Sequence, residues 1–220
     1  MRLSSNYFYL KAGKFFLPYG LRIQDDTAFI RATTGFTYST SDVGVELGIE
    51  PGPLTLNLAL TNGTGASGDN NRDKRVTLRA SVVGRYSRLG ASYSDNKKQD
   101  NSRNTTYNIF GGLHFGRFTL LGEADRISDE DTLGVQTEQL AALAELNFLL
   151  SRGVNFKLTY DFLDPNEDVN NDERERFSLV YEHCLMQYTQ IRSGIRVNQG
   201  IPQDDLQNAK EFFFELHLFF

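Results

Sequence analysis

The feature that most constrains this chain is a hydrophobic period of two residues that returns, segment after segment, along most of its length. Apolar residues take alternate places in Val43, Val45, Leu47, Ile49, in Leu54, Leu56, Leu58, Leu60, and in Val76, Leu78, Ala80, Val82. The pattern returns in Tyr107, Ile109, Gly111, Leu113, Phe115, in Phe118, Leu120, Gly122, Ala124, and in Leu140, Ala142, Ala144, Leu146, Phe148. It continues through Val154, Phe156, Leu158, Tyr160, Phe162, then Phe177, Leu179, Tyr181, His183, Leu185, and Ile191, Ser193, Ile195, Val197. None of these positions is Asp, Glu, Lys or Arg, whereas the intervening ones include Arg79, Lys157, Asp161, Glu182, Arg192 and Arg196. Successive side chains of a strand point to opposite faces, so the period predicts strands with one apolar and one polar face.

Alternation alone also fits a soluble all-β domain with a shared core. The connections separate the two. After a first strand near residues 5–16 comes a long segment to about residue 41, then a tight turn at Glu50-Pro51-Gly52-Pro53. Long polar stretches around Gly63 to Asp73, Asn96 to Asn104, Ser128 to Val135, Asp164 to Glu173 and Gly200 to Lys210 then alternate with short turns near Tyr86, Gly116, Arg152 and Gln187. An up-and-down transmembrane barrel has short turns on one side and longer loops on the other; a Greek-key sandwich has no reason to alternate in this way. The fold expected is all-β: an antiparallel transmembrane β-barrel of about twelve strands, an even number that puts both ends on the short-turn side. Residues 1–220 would form a single such domain, with the long 17–41 loop either folding into the lumen or lying outside.

Composition agrees and excludes other classes. The chain has 220 residues, 40% hydrophobic and 23% charged, as a folded protein does. No apolar run approaches the ~20 residues of a spanning helix, and a mean hydropathy of -0.41 is compatible with strands whose two faces average out. A net charge of -5 and no basic cluster argue against nucleic acid as a partner. The single Cys184 cannot form an internal disulfide. The first residues lack the charged and apolar regions of a secretory signal, so either it was removed or the chain is the C-terminal part of something longer.

The last residues, Glu211-Phe-Phe-Phe-Glu-Leu-His-Leu-Phe-Phe220, set Phe212, Phe214, Leu216, Leu218 and Phe220 on one face and Glu211, Glu215 and His217 on the other. This ending resembles the C-terminal signature of Gram-negative outer-membrane β-barrel proteins. Aromatics fall into two groups, Tyr86, Phe115, Phe118, Phe148, Tyr188 and Phe220 at the short-turn ends and Tyr107, Phe162, Phe177 and Phe212 at the loop ends, as interfacial belts would. Phe and Tyr do this work, since the chain has no Trp. The segment Tyr9-Leu-Lys-Ala-Gly-Lys-Phe-Phe-Leu-Pro-Tyr-Gly-Leu-Arg22, with Phe29-Ile-Arg31, and the later Arg176-Phe-Ser-Leu-Val-Tyr-Glu-His183 look like parts of the phosphate-selective porin family. The resemblance implies a strand leading through a Pro-hydrophobic-Gly turn into a loop that narrows a pore, and a match to the C-terminal part of a barrel commonly of sixteen strands. It further implies passive diffusion of small hydrophilic solutes, anions such as phosphate among them, outer-membrane lipid as surroundings, and recognition of the C-terminal strand by the barrel-assembly machinery. Such porins often form homotrimers.

If the loop folds inward, Arg22, Asp25, Asp26 and Arg31 are the candidates for a constriction of mixed charge, which filters solutes through a transverse field. Lumen-wall candidates are Lys11, Arg79, Lys157, Arg192 and Arg196, with Arg75 and Arg176, facing Glu46, Glu123, Asp125, Glu145, Asp161, Glu182 and Glu215. No dense ladder of lysine or arginine is evident. Asp164, Asn166, Asp168, Asn170, Asp172 and Glu175 have the ligand spacing of a calcium loop, although Val169 stands where its Gly belongs, so calcium is the one cofactor candidate against a solvated acidic loop. No catalytic set emerges: His114, His183 and His217 have no neighbouring nucleophile, and the loop acids Asp95, Asp100, Asp129, Glu130 and Asp131 read as solvated. The alternatives to a porin are a plugged barrel serving as a structural or attachment protein and a soluble all-β binding domain.

Overall fold

The computed structural model describes residues 2–4, 7–23, 25, 27–37, 39–65, 68–69 and 72–219. The strands are β1 (Arg2–Ser4), β2 (Phe8–Phe16), β3 (Ser41–Ile49), β4 (Leu54–Thr61), β5 (Arg75–Val83), β6 (Ser87–Lys97) and β7 (Arg103–Phe115). They continue as β8 (Phe118–Glu130), β9 (Gln136–Ser151), β10 (Val154–Asp164), β11 (Arg174–Met186), β12 (Thr189–Gln199) and β13 (Lys210–Leu218), and one helix, α1 (Phe29–Thr34), lies between β2 and β3. All strands belong to one sheet in sequence order, each antiparallel to the next. The strand expected near residues 5–16 is β2, and a three-residue β1 precedes it, its Leu3 paired with Leu10, so that β1 lies alongside β2 and not at the short-turn rim.

Register follows hydrophobic phase. Val45 pairs with Leu60, Leu47 with Leu58, Leu58 with Leu78, Leu78 with Tyr93 and Leu158 with both Leu146 and Leu179. A slip of one residue anywhere would turn a whole strand over, and every apolar series read from the sequence stays on the outer face. That face is bare: Leu47 is 44% exposed, Ile109 65%, Leu158 51% and Ile195 52%. A continuous apolar surface of this kind needs hydrocarbon, not water, against it. The opposite face carries Lys11, Glu46, Asn57, Thr77, Arg79, Asp125, Asp161, Arg176 and Arg192, most of them buried or partly so.

The turns on one side are minimal. Gly116-Arg117 and Arg152-Gly153 join β7 to β8 and β9 to β10, with the glycines at φ 59° and 81°, where a side chain would be strained. On the other side, polar stretches around residues 98–102 and 131–135 are shorter than their composition suggests, because β6 to β9 continue as paired strands to Lys97, Arg103, Glu130 and Gln136. Backbone pairing can continue beyond the apolar band, where water tolerates polar groups on both faces. Among the described residues no ladder joins β13 to β1: the sheet order ends at those two strands, and β1 offers only three residues to a partner.

A candidate permeation site inside the barrel wall

The long segment after β2 folds inward. It is apolar where a solvated loop would be polar, and Leu17, Tyr19, Ala28, Ile30 and Phe36 are almost wholly buried. Ala28 and Ile30 pack on Ile127, Ala141 and Leu143 of the inner wall, with Ile23 and Leu163 beside them. Tyr19 stacks on Phe36, ring centroids 3.9 Å apart and planes 6° from parallel, and Leu17 completes a second cluster with them. Gly35 ends α1 in the left-handed conformation at φ 71°, its N–H bonded to the Arg31 carbonyl at 3.0 Å.

Polar contacts lock the loop to strands from β6 to β12. The Gly20 N–H donates to Ser92 Oγ at 3.1 Å and the Leu21 N–H to Glu123 Oε2 at 3.2 Å. Gly20 has φ +54° and lies so close to the Glu123 carboxylate that a Cβ there would collide with it. Arg31 forms a fully buried ion pair with Glu123. Tyr19 donates its hydroxyl to Asp125 Oδ1 at 2.7 Å; burial first, then the Asp125 charge, push the phenol well above its usual range, so it stays a donor. The Phe29 N–H reaches Asp161 Oδ1 at 3.3 Å, while Arg176 lies over the Phe29 ring at 4.8 Å. Asp25 faces Arg196 of β12 at 3.9 Å. The wall therefore wraps around the loop from several sides.

The remaining interior is segregated by charge. On β5 and β6, Arg75, Arg79 and Arg88 run from the loop side to the short-turn side, and among the described residues none has an ion-pair partner. Phe110 supports two of them, with Arg79 at 4.8 Å and Arg88 at 5.6 Å from its ring centre, and Phe36 supports Arg75 at 5.6 Å. Across the interior, Glu145, Glu182 and Glu215 share Lys157 and Arg192 at 2.9 to 3.7 Å. Lys11 pairs with Glu46 at 2.9 Å.

All five expected wall residues, Lys11, Arg79, Lys157, Arg192 and Arg196, face the interior. Of the expected constriction residues, Arg31 is fully buried and acts as a strut, not a group presented to solute. Arg22 folds back over the Phe16 ring at 4.5 Å and toward the Leu17 carbonyl at 3.4 Å. Asp25 meets Arg196, and Asp26 lies outside the described residues. The acidic stretch is not gathered around a centre: the Asn166 N–H donates to Asp164, the Asp168 N–H to Asn166, and Glu175 accepts from Tyr160 on the outer face. Among the described residues no group of three or more His, Cys, Asp or Glu is placed to hold a metal ion. His114 faces inward beside Thr119 at 3.1 Å, and His183 outward beside Tyr181 at 3.0 Å. Arg88 and Phe110 are the residues that sequence reasoning missed; Arg88 sits in the inward phase of β6, whose outer series Leu89, Ala91, Tyr93 is short.

An antiparallel wall with an apolar outside, a charged inside and a loop fastened within it defines an outer-membrane barrel channel. A model of the Gram-negative porin family matches residues 7–198, and the chain belongs to that family. Its place is the outer membrane. The fold is similar to that of OmpTdeltaL8, a loop-deletion mutant of the outer-membrane protein OmpT of Vibrio cholerae, at TM-score 0.76 and 10% identity, over 99% of this chain and 77% of that one. It is similar to the anion-selective porin from Comamonas acidovorans at TM-score 0.73 and 11% identity, over 99% and 76%. It is also similar to in-vitro folded OmpT of Vibrio cholerae in its trimer form, at TM-score 0.68 and 10% identity, over 96% and 73%. No curated protein matches the sequence significantly.

Proposed function

We propose that this porin lets small hydrophilic solutes diffuse passively and favours anions, phosphate among them, over cations. The observation that carries the reading is the row Arg75, Arg79 and Arg88, three guanidinium groups on adjoining strands held by aromatic rings and, among the described residues, with no carboxylate at ion-pair distance. Opposite them, three carboxylates share two cations. A field across a narrow water path lowers the energy of an anion beside the arginines and raises that of a cation there. The likeness to a porin named as anion-selective supports the same direction. Residues 1–220 act in this reading as one barrel unit, the β13 strand is the part presented to the assembly machinery, and a homotrimer is the assembly, as in the trimer form of the similar OmpT.

Reversal potentials across a KCl gradient in planar bilayers test it. Chloride should be more permeant than potassium, and Arg79→Gln with Arg88→Gln should bring the ratio toward unity. A potassium preference overturns the anion reading; a protein that inserts without conductance steps is a plugged barrel, and overturns the pore. Native mass spectrometry in detergent reads the trimer.

A further inference from the structure

Above the apolar band, on the loop side, β6 to β9 continue with polar residues outward, and Tyr93, Arg103, Tyr107, Arg126, Gln136 and Glu138 border a cavity of about 610 Å³ there. Its polar groups are tied to one another. Arg103 donates from Nε and Nη2 to Asp95 at 2.7 and 3.0 Å, and the Thr105 hydroxyl donates to the same carboxylate at 3.0 Å. Arg126 reaches Glu167 at 2.6 Å and Glu138 at 3.4 Å, while Gln136 Nε2 donates to Ser128 at 2.7 Å and to Glu138 at 2.6 Å. Toward the membrane the cavity ends on Tyr93 and Tyr107, register partners whose ring centroids lie 5.2 Å apart. Two apolar grooves continue from these rings. One, of about 530 Å³, runs from Tyr93 over Ala91, Ala80, Leu78 and Leu58. The other, of about 430 Å³, runs from Tyr107 over Ala91, Ile109, Ala124 and Leu140.

We propose that this outward site holds a lipid with a sugar headgroup, the sugar in the polar cavity and acyl chains in the two grooves. A polar compartment continuous with two apolar ones fits a molecule with one polar end and at least two chains, and the cavity has the volume of a small-molecule site, about 300–1,000 Å³. Charge decides between headgroups. Arg103 and Arg126 are already matched by Asp95, Glu138 and Glu167, so a bare phosphate would meet no surplus of cationic charge. A sugar hydroxyl both donates and accepts, so carboxylate, amide, hydroxyl and guanidinium groups all serve it, and tyrosine rings give its C–H face an apolar platform. A second copy of the chain would present another convex sheet and leave the grooves unfilled. The site lies outside the barrel, so this inference stands independently of the solute preference.

Native mass spectrometry of the folded full chain in detergent tests it, with lipid A as the probe and phosphatidylglycerol and phosphatidylethanolamine for comparison. Lipid A should remain as a defined adduct and the phospholipids should not. Gln136→Ala with Glu138→Ala removes two groups that meet the sugar and should weaken lipid A binding by roughly tenfold or more, the scale of two lost hydrogen bonds. Ala91→Phe fills the place where both grooves pass and should weaken it likewise, while single-channel conductance stays that of the parent. Should either variant fail to fold, the other decides together with the phospholipid comparison. The absence of a lipid A adduct, equal retention of phosphatidylglycerol, or binding that survives the variants would each overturn the proposal. So would tighter binding in the Gln136→Ala, Glu138→Ala form, as a phosphate drawn to a released Arg126 would give, and so would a loss of subunit association in Ala91→Phe, which assigns the grooves to a second copy.

Discussion

Arg31 and Glu123, 92 residues apart in the chain, form an ion pair whose two side chains are both withdrawn from solvent, and this pair fixes the internal loop against β8. Removing one member of a buried pair costs about 3–5 kcal/mol because its partner is left charged and unpaired. Arg31→Ala should therefore lower stability on that scale. Urea unfolding in detergent micelles checks it, and single-channel records should become noisier as the loop loosens.

Gly20 offers a separate handle on the same contact. A left-handed backbone costs a residue with a Cβ about 1–2 kcal/mol, and here that Cβ would also strike the Glu123 carboxylate. Gly20→Ala should destabilise by at least that amount, whereas Gly52→Ala, at φ 66° with open space around its Cβ, should show the backbone cost alone. Paired thermal melts of the two variants separate strain from collision.

Leu158 lies on the outer face between Leu146 and Leu179, near the middle of β10. Leu158→Arg should cost about 2–4 kcal/mol in a bilayer, the penalty for a cation at the midplane. On the inner face, Thr159→Lys beside Glu145 should be far better tolerated, since Thr159 and Glu145 are register partners. Refolding yields into lipid vesicles give the comparison.

Asp25 sets an acid limit on the loop. Burial disfavours its charged form, but hydrogen bonds from the Thr27 hydroxyl and N–H and the charges of Arg196 and Arg176 more than offset that, holding its carboxyl below the usual 3.8. A depressed value means the contribution is complete above pH 3.8 and is lost as pH falls through the folded value. Protease nicking of the 17–41 loop should rise on acidification in that range, and Asp25→Asn should be nicked readily at every pH tested.

Strands and their two faces were legible because one period of two residues reports both, as in Leu140, Ala142, Ala144, Leu146, Phe148, every one of which lies outward. The course of the loop was not, because it depends on hydrogen bonds to wall residues 72 to 132 positions away. One signal was present: Leu140-Ala141-Ala142-Leu143-Ala144 is apolar on both faces, and the inner half of that run, Ala141 and Leu143, is where α1 rests. The role of Arg31 could not be read in advance, since an arginine in a loop gives no hint of a carboxylate 92 residues later. About twelve strands were legible in the period, and Arg2–Ser4 adds to them a short pairing segment with no periodic signature.

The helix α1 of the loop is seated on β8, β9 and β10, whereas the arginines that have no ion pair among the described residues stand on β5 and β6, where the loop reaches them through Phe36 and Ser92. Most of the support and the proposed sieve thus occupy different arcs of the wall. On the proposed reading, charge preference can be rewritten on one arc by exchanging single side chains, in evolution or by design, while most of the bracket that seats the loop is inherited intact on the other.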